Sequence, residues 1–231
     1  MKDLNQKKFL KQKYGNEMVL VCLTNQTQDI PDLFNYGITT QIFDNSNTFV
    51  FRYDAEYNPV YTQLIPYVIV TNLMEDKLYV TKRIQGDERL TNLISLGAGG
   101  HINPQDMSED TLITAAYREI NEELDIVLLN EIKRYGTVRD MKSTTKEHLG
   151  LVYIAHANEV SVKEQDILSG QWVDINYLIS NYNMLESWAK HITDHIYVNY
   201  KKTKKLFRPV LLGEINHDQY NRKKVRTKYE V

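Results

Sequence analysis

The chain has 231 residues, of which 42% are hydrophobic and 25% are charged, and its formal net charge is −2. These values are close to the averages of soluble globular proteins and exclude disordered and fibrous classes. No run approaches the ~18 consecutive apolar residues of a membrane-spanning helix, and a single cysteine excludes an intramolecular disulfide. We therefore expect a globular protein with a cytoplasmic location and no membrane partner.

The charge is unevenly distributed along the chain. Residues 201–231 hold ten Lys or Arg against three acids, and residues 1–14 hold five against one, which leaves a net charge of −13 for the middle. A basic tail could bind nucleic acid, but most charge runs are solvated surface, and we favour that interpretation. We expect an N-terminal extension packed on the core (1–60), a central domain (61–200) and a basic C-terminal tail (201–231).

Strand-like runs rich in Val, Ile and Tyr follow one another along the chain. The predicted strands are Met18 to Leu23, Thr48 to Tyr53, Pro66 to Asn72, Lys77 to Arg83, Tyr135 to Arg139, Leu149 to His156 and Gln171 to Val173. Cys22 lies in the first run, where we expect a buried hydrophobic residue rather than a reactive thiol. The short polar segment Met74 to Lys77 predicts a hairpin with antiparallel strands.

Two helices are predicted. Ser108 is a candidate N-cap, and the acids Glu109 and Asp110 behind it suit the positive end of a helix dipole. An apolar stripe with a period of four residues follows, formed by Leu112, Ala116, Ile120 and Leu124. The second helix spans about Met184 to Val198 and places on one face Leu185, Trp188, Ile192 and Ile196. A sheet with packing helices predicts an α/β layered domain.

Three carboxylates share the polar side of the first helix. Glu119, Glu122 and Glu123 are spaced i, i+3 and i+4, so they project from one side and repel one another. They also lie towards the negative end of the helix, where only a cation would make the arrangement favourable. Mg²⁺ prefers carboxylate oxygens and shares its remaining positions with phosphates. Spacing alone is weak evidence, because Glu-rich helix surfaces are usually just solvated.

The surrounding residues strengthen the metal hypothesis. The stretch Arg118 to Ile126, preceded by Gly99-Gly100 after a strand, resembles the signature of the Nudix family, with its ordered Arg-Glu-apolar-x-Glu-Glu. As a general layout the resemblance covers residues 60–195, and Gly170 to Asp174 looks like the late strand with its tryptophan. It implies a Nudix-like α/β/α sandwich with a mixed β-sheet. Within the family, the chain looks closest to bacterial members that are predicted phosphoesterases.

The chain departs from the family signature at three places. Asp110 stands where the family has a glutamate, and we expect it or Glu109 to orient Arg118. Gly100 stands 18 positions before Arg118, so the loop is lengthened by four residues around Asn103 to Met107. Asp125 replaces the glycine that would close the helix, at a cost of ~1 kcal/mol for a left-handed cap.

The resemblance implies a Mg²⁺- or Mn²⁺-dependent pyrophosphohydrolase acting on acid anhydrides, in which water attacks one phosphorus of a nucleoside diphosphate-linked substrate. The implied catalytic residues are Arg118, Glu119 and Glu122. The implied metal ligands are Glu119, Glu122 and Glu123. The candidate substrate-binding residues are Lys82, Arg83, Gly99, Gly100 and His101. For a further acid from a distant loop, the sequence does not choose among Glu147, Glu164 and Asp166.

Other functions stay open at this stage. The chain could be a non-catalytic regulator that binds a nucleotide on the same scaffold, or RNA through its basic tail. An isopentenyl diphosphate isomerase would need a reactive cysteine, for which Cys22 is too early in the chain and too apolar in setting. Neither the substrate nor the existence of a homodimer follows from the sequence.

Overall fold

The computed structural model describes residues 2–37, 47–85, 91–143 and 146–207, so most of the predicted basic tail lies outside the described residues. The strands are β1 (Met18–Leu23), β2 (Leu33–Tyr36), β3 (Thr48–Phe51), β4 (Tyr61–Asn72), β5 (Lys77–Arg83), β6 (Ile94–Ser95), β7 (Gly97–Gly99), β8 (Leu124–Leu128), β9 (Lys133–Arg139), β10 (His148–Val162) and β11 (Leu168–Val173). The helices are α1 (Lys2–Tyr14), α2 (Arg52–Ala55), α3 (Thr111–Glu123), α4 (Ile175–Ser180) and α5 (Ser187–Thr203). Among these helices, none combines the length and the apolar character that a membrane crossing requires.

The predicted strands are confirmed, and two of them have the predicted bounds, β1 and β5. Both are continuous apolar or β-branched runs whose middle residues are buried, the pattern of a strand covered on both faces. The predicted strand from Thr48 ends two residues early, because Arg52 and Tyr53 begin the short helix α2. β4 and β10 are longer than predicted.

The described chain forms two compact units. Five elements have residues in both units: β4, β7, β9, β10 and α3. The first unit comprises Met1–Tyr67, Gly99–Glu119 and Arg134–Val152. Within it, β1 pairs antiparallel with β3 and β4, and β2 pairs antiparallel with β9. A small apolar core lies beneath β1, formed by Val19, Val21 and Ala55 with Val50 and Tyr61 packed against them.

The second unit comprises Val68–Ala98, Ile120–Lys133 and Tyr153–Val231. Its strands follow the order β11-β5-β4-β10, with β6 paired to β5 and β8 to β10. The antiparallel pairing of β4 with β5 confirms the predicted hairpin. Helix α5 begins at Ser187, so the predicted start at about Met184 is wrong and Leu185 lies before the helix. The predicted apolar face is confirmed for Trp188, Ile192 and Ile196, which are buried.

Helix α3 begins at Thr111, two residues later than an N-cap at Ser108 predicts. Asp110 caps it, because its Oδ1 accepts a hydrogen bond from the backbone N–H of Ile113 at 3.2 Å. The Ser108 hydroxyl instead lies 2.7 Å from the hydroxyl of Thr114. The predicted N-cap is therefore wrong, although the helix and its apolar stripe are confirmed.

The other end of α3 passes directly into a strand. Leu124 begins β8, and Asp125 pairs with Ser161 in the antiparallel ladder with β10. The prediction of a left-handed cap at Asp125 is therefore wrong, and the conformational cost that we expected for such a cap does not arise. The last carbonyls of the helix are satisfied by Lys163, whose backbone N–H donates to the carbonyl oxygen of Glu123 at 2.9 Å and whose Nζ donates to that of Asn121.

Cys22 and His156 are both almost fully buried. Burial raises the pKa of the Cys22 thiol to about 11 and confirms the expected packing role, with Sγ donating to the carbonyl oxygen of Thr62 at 3.7 Å. Burial, with a smaller effect of Lys133, lowers the pKa of His156 to about 4. Its Nδ1 lies 2.7 Å from the hydroxyl of Thr71, so the neutral imidazole is accommodated in the folded protein.

We predict that His156 makes the protein less stable in acid. Between pH 6.5 and about 4 the unfolded chain protonates this histidine and the folded chain does not. The free energy of unfolding should therefore decrease as the pH is lowered from 6.5 to about 4, by about 3 kcal/mol at most. Urea unfolding of the wild type and of His156→Gln at about pH 7.5 and about pH 4.5 measures the difference. Equal pH dependence of the two proteins would contradict the assignment.

Candidate functional site

Arg118 on α3 is held by Asp106, a residue of the lengthened loop. Arg118 Nε and Nη2 donate to the two Asp106 carboxylate oxygens at 2.7 and 2.9 Å, a bidentate pair. Asp106 is 1% exposed and also accepts from the backbone N–H of Asn103 at 2.8 Å. The pair therefore ties the loop to the helix.

The expectation that Asp110 or Glu109 orients Arg118 is wrong. Asp110 instead caps α3 and pairs with Arg134 at 2.9 Å, while Glu109 is exposed. The extra loop residues form a short 3-10 turn, Pro104–Asp106, that brings Asp106 back to the helix. The proline at the first position of that turn was the sequence signal that could have indicated it.

Glu119 is buried beside the glycine loop. It is 7% exposed, and its Oε1 lies 2.8 Å from Arg118 Nη1. A Cβ at residue 100 would lie 2.6 and 2.7 Å from the two Glu119 carboxylate oxygens, and one at residue 99 would lie 2.2 Å from the Pro66 carbonyl oxygen. Gly99 is thus required by space, and at Gly100 any side chain would have to displace the Glu119 carboxylate that lies next to the loop backbone.

His101 is anchored on three sides. Its Nε2 lies 2.9 Å from Oε1 of Gln63, its carbonyl oxygen accepts from Arg118 Nη2 at 2.8 Å, and its ring packs edge-on against His148 with centroids 5.4 Å apart. These contacts give His101 a positioning role in the loop. Its predicted contact with a phosphate stays a prediction.

Three residues were candidates for a distant acid. Of these, Glu147 lies in the first unit, which also contains Glu119. Its carboxylate lies within a group of possible metal-ligating atoms, all within 4.8 Å of one another, whose other members are Glu56 and His148. Glu164 and Asp166 belong to the second unit. Sequence reasoning missed Glu56 and His148, because they come from a segment after α2 and from the first residue of β10, and no spacing pattern links them.

The remaining predicted residues lie on regular elements of the fold. Glu122 is exposed and Glu123 is half-buried at the end of α3. Lys82 and Arg83 are half-buried at the end of β5, where they pair with Ser169 and Leu168 of β11. Their roles towards a metal and a phosphate stay predictions.

Comparisons with known proteins bear on this arrangement. No protein-family model matches the chain. Protein YmaB of Bacillus subtilis (strain 168) is 33% identical over 159 residues, which cover 62% of this chain and 75% of YmaB. The crystal structure of Tm1382, described as a candidate Nudix hydrolase, matches with a TM-score of 0.67 and 27% identity over 77% of this chain and 97% of Tm1382. The chain belongs to the Nudix superfamily.

The Nudix assignment confirms the α/β fold with a mixed sheet that the sequence predicted. The Nudix domain of NrtR from Shewanella oneidensis, solved with ADP-ribose, is more distant, with a TM-score of 0.48 and 16% identity over 65% of this chain and 97% of that domain.

We predict that removing one partner of the buried Asp106–Arg118 pair destabilises the fold and that removing one partner of the exposed Asp110–Arg134 pair costs little. Asp106→Asn leaves a largely buried guanidinium without its carboxylate and should lower the free energy of unfolding by about 3 kcal/mol. Asp110→Asn is the matched control, because its pair is exposed and asparagine caps a helix as well as aspartate, so less than about 1 kcal/mol should be lost. Equal losses in urea unfolding would contradict the assignment.

We also predict an energetic coupling between residues 100 and 119. Gly100→Ala forces the new methyl group against the Glu119 carboxylate and should cost about 1 to 3 kcal/mol of stability. In the background of Glu119→Ala, which removes that carboxylate, the same change should cost much less. A double-mutant cycle by urea unfolding measures the coupling, and additive losses would show that the two residues do not touch.

Proposed function

We propose that this Nudix protein is a divalent-cation-dependent pyrophosphohydrolase that cleaves the diphosphate bond of a nucleoside diphosphate-linked substrate. The observation that carries the proposal is the buried Glu119 carboxylate, fixed between Arg118 and the side-chain-free position at Gly100. A carboxylate held in this way is positioned before any ligand arrives, which is what a metal or catalytic site needs.

The proposed ligands of Mg²⁺ or Mn²⁺ are Glu119, Glu122 and Glu123. Their spacing on α3 places like charges on one side of a helix and towards its negative end, and a cation offsets both effects. An all-carboxylate set suits a hard divalent ion, so these residues fit the group. When bound, the cation would screen the charge of the diphosphate and make water more acidic.

The protein's own residues supply the positioning. Arg118 is kept in one orientation by Asp106 and in turn holds Glu119. Glu119 or Glu122 is the proposed acceptor of the proton from the attacking water, because a carboxylate that is fixed near the reacting water can act as a general base. Lys82 and Arg83 are the proposed basic partners of the phosphates.

We predict metal-dependent turnover of at least one nucleoside diphosphate-linked compound. The full chain would be incubated with Mg²⁺ or Mn²⁺ and a panel of ADP-ribose, dinucleoside polyphosphates, NADH and nucleoside triphosphates, and products would be separated by chromatography. Glu122→Gln should lower kcat by about 100-fold or more, since it removes one charged group of the proposed site.

The control for this assay is Glu109→Gln. Glu109 is an exposed glutamate that precedes α3 and takes no part in the proposed site, so its replacement should leave kcat unchanged. No turnover across the panel would contradict hydrolysis. Nucleotide binding without turnover, measured by calorimetry, would instead identify a non-catalytic regulator on the Nudix scaffold.

A further inference from the structure

A second group of ligand-type side chains is buried in the first unit. Glu56, Glu147 and His148 are 4%, 7% and 6% exposed, and each offers a ligand atom within 4.8 Å of those of the other two. Two negative carboxylates at this separation repel one another. A bound cation removes that cost, because it attracts both carboxylates and accepts the imidazole nitrogen as a third ligand.

The residues around Glu56 fix its carboxylate. The Tyr14 hydroxyl donates to Glu56 Oε1 at 3.3 Å, and Arg52 Nε lies 3.9 Å from Glu56 Oε2. Arg52 Nη1 meanwhile donates to both carboxylate oxygens of Glu17 at 3.1 Å. The guanidinium hydrogen-bonds Glu17 and makes only a long ion pair with Glu56, whereas the Tyr14 hydroxyl hydrogen-bonds the Glu56 carboxylate, as neighbouring groups commonly do with metal ligands.

An independent observation at the same place comes from Gln63. Gln63 is fully buried, and its amide Nε2 has no hydrogen-bond partner among the described residues. The other end of the amide contacts His101, whose ring packs on His148, and the backbone N–H of Gln63 donates to the carbonyl oxygen of Glu147 at 2.8 Å. A buried N–H donor without an acceptor indicates that the acceptor belongs to a bound water or ligand.

We propose that Glu56, Glu147 and His148 form a second divalent-cation site that selects a first-row transition ion such as Mn²⁺ over Mg²⁺. The selectivity follows from the donor set, because imidazole suits transition ions and Mg²⁺ prefers oxygen ligands alone. Three protein ligands leave coordination positions for water. This second site adds to the proposed function, and only its part in turnover rests on that function.

The test measures Mn²⁺ binding to the full chain in excess Mg²⁺. Calorimetry gives the affinity and the number of bound ions, and electron paramagnetic resonance reports the ligands of the bound Mn²⁺. The wild type should retain about one Mn²⁺ under these conditions, and its spectrum should carry the nitrogen coupling of a coordinated imidazole. His148→Gln and Glu56→Gln should each weaken this binding by at least about tenfold. Glu122→Gln should leave it intact, because that residue belongs to the acids of α3.

Each outcome bears on the proposal. Mn²⁺ that is displaced by Mg²⁺, or bound without nitrogen coupling, would overturn it, as would equal affinity in the wild type and a folded His148→Gln. If a variant does not fold, the nitrogen coupling in the wild type decides alone. Nitrogen-coupled Mn²⁺ in a protein that turns over no substrate would support this site and contradict the proposed hydrolase, so the two failures are distinguishable.

Discussion

The bidentate ion pair between Asp106 and Arg118 is the interaction on which the rest of the site depends. The guanidinium of Arg118 joins the lengthened loop to helix α3 and is oriented by the buried carboxylate of Asp106. It also contacts the carbonyl oxygen of His101 and the carboxylate of Glu119. Loop, helix and candidate metal ligand are therefore fixed by a single side chain. A buried pair of this kind adds little net stability, but losing one partner is costly.

A second constraint is the gathering of acids in the interior of the first unit. Glu56, Glu119 and Glu147 are all nearly buried, an unusual state for carboxylates unless they are paired or bound to metal. Arg118 and Arg52 contact two of them. The proposed cation sites give these buried acids a role, because preorganised charge is what a bound cation requires.

Much of the fold could be predicted because local patterns determine it. The continuous apolar runs of β1 and β5 and the polar turn between β4 and β5 need no tertiary information. The end of α3 could not be predicted, because pairing with β10 replaces the cap that Asp125 suggested. The roles of three other residues could not be predicted for a similar reason, because Asp106, Glu56 and His148 each contact their partners only in the folded chain. Helical spacing identified as a group only Glu119, Glu122 and Glu123.

We propose that the fixed Glu119 carboxylate holds a divalent cation. Crystals soaked in Mn²⁺ would be measured by anomalous diffraction on both sides of the manganese absorption edge. An anomalous peak is expected at about 2.0 to 2.3 Å from a Glu119 oxygen, the range of divalent ion to carboxylate distances. Density for an intact Asp106–Arg118 pair with no anomalous peak beside Glu119 at saturating Mn²⁺ would contradict it.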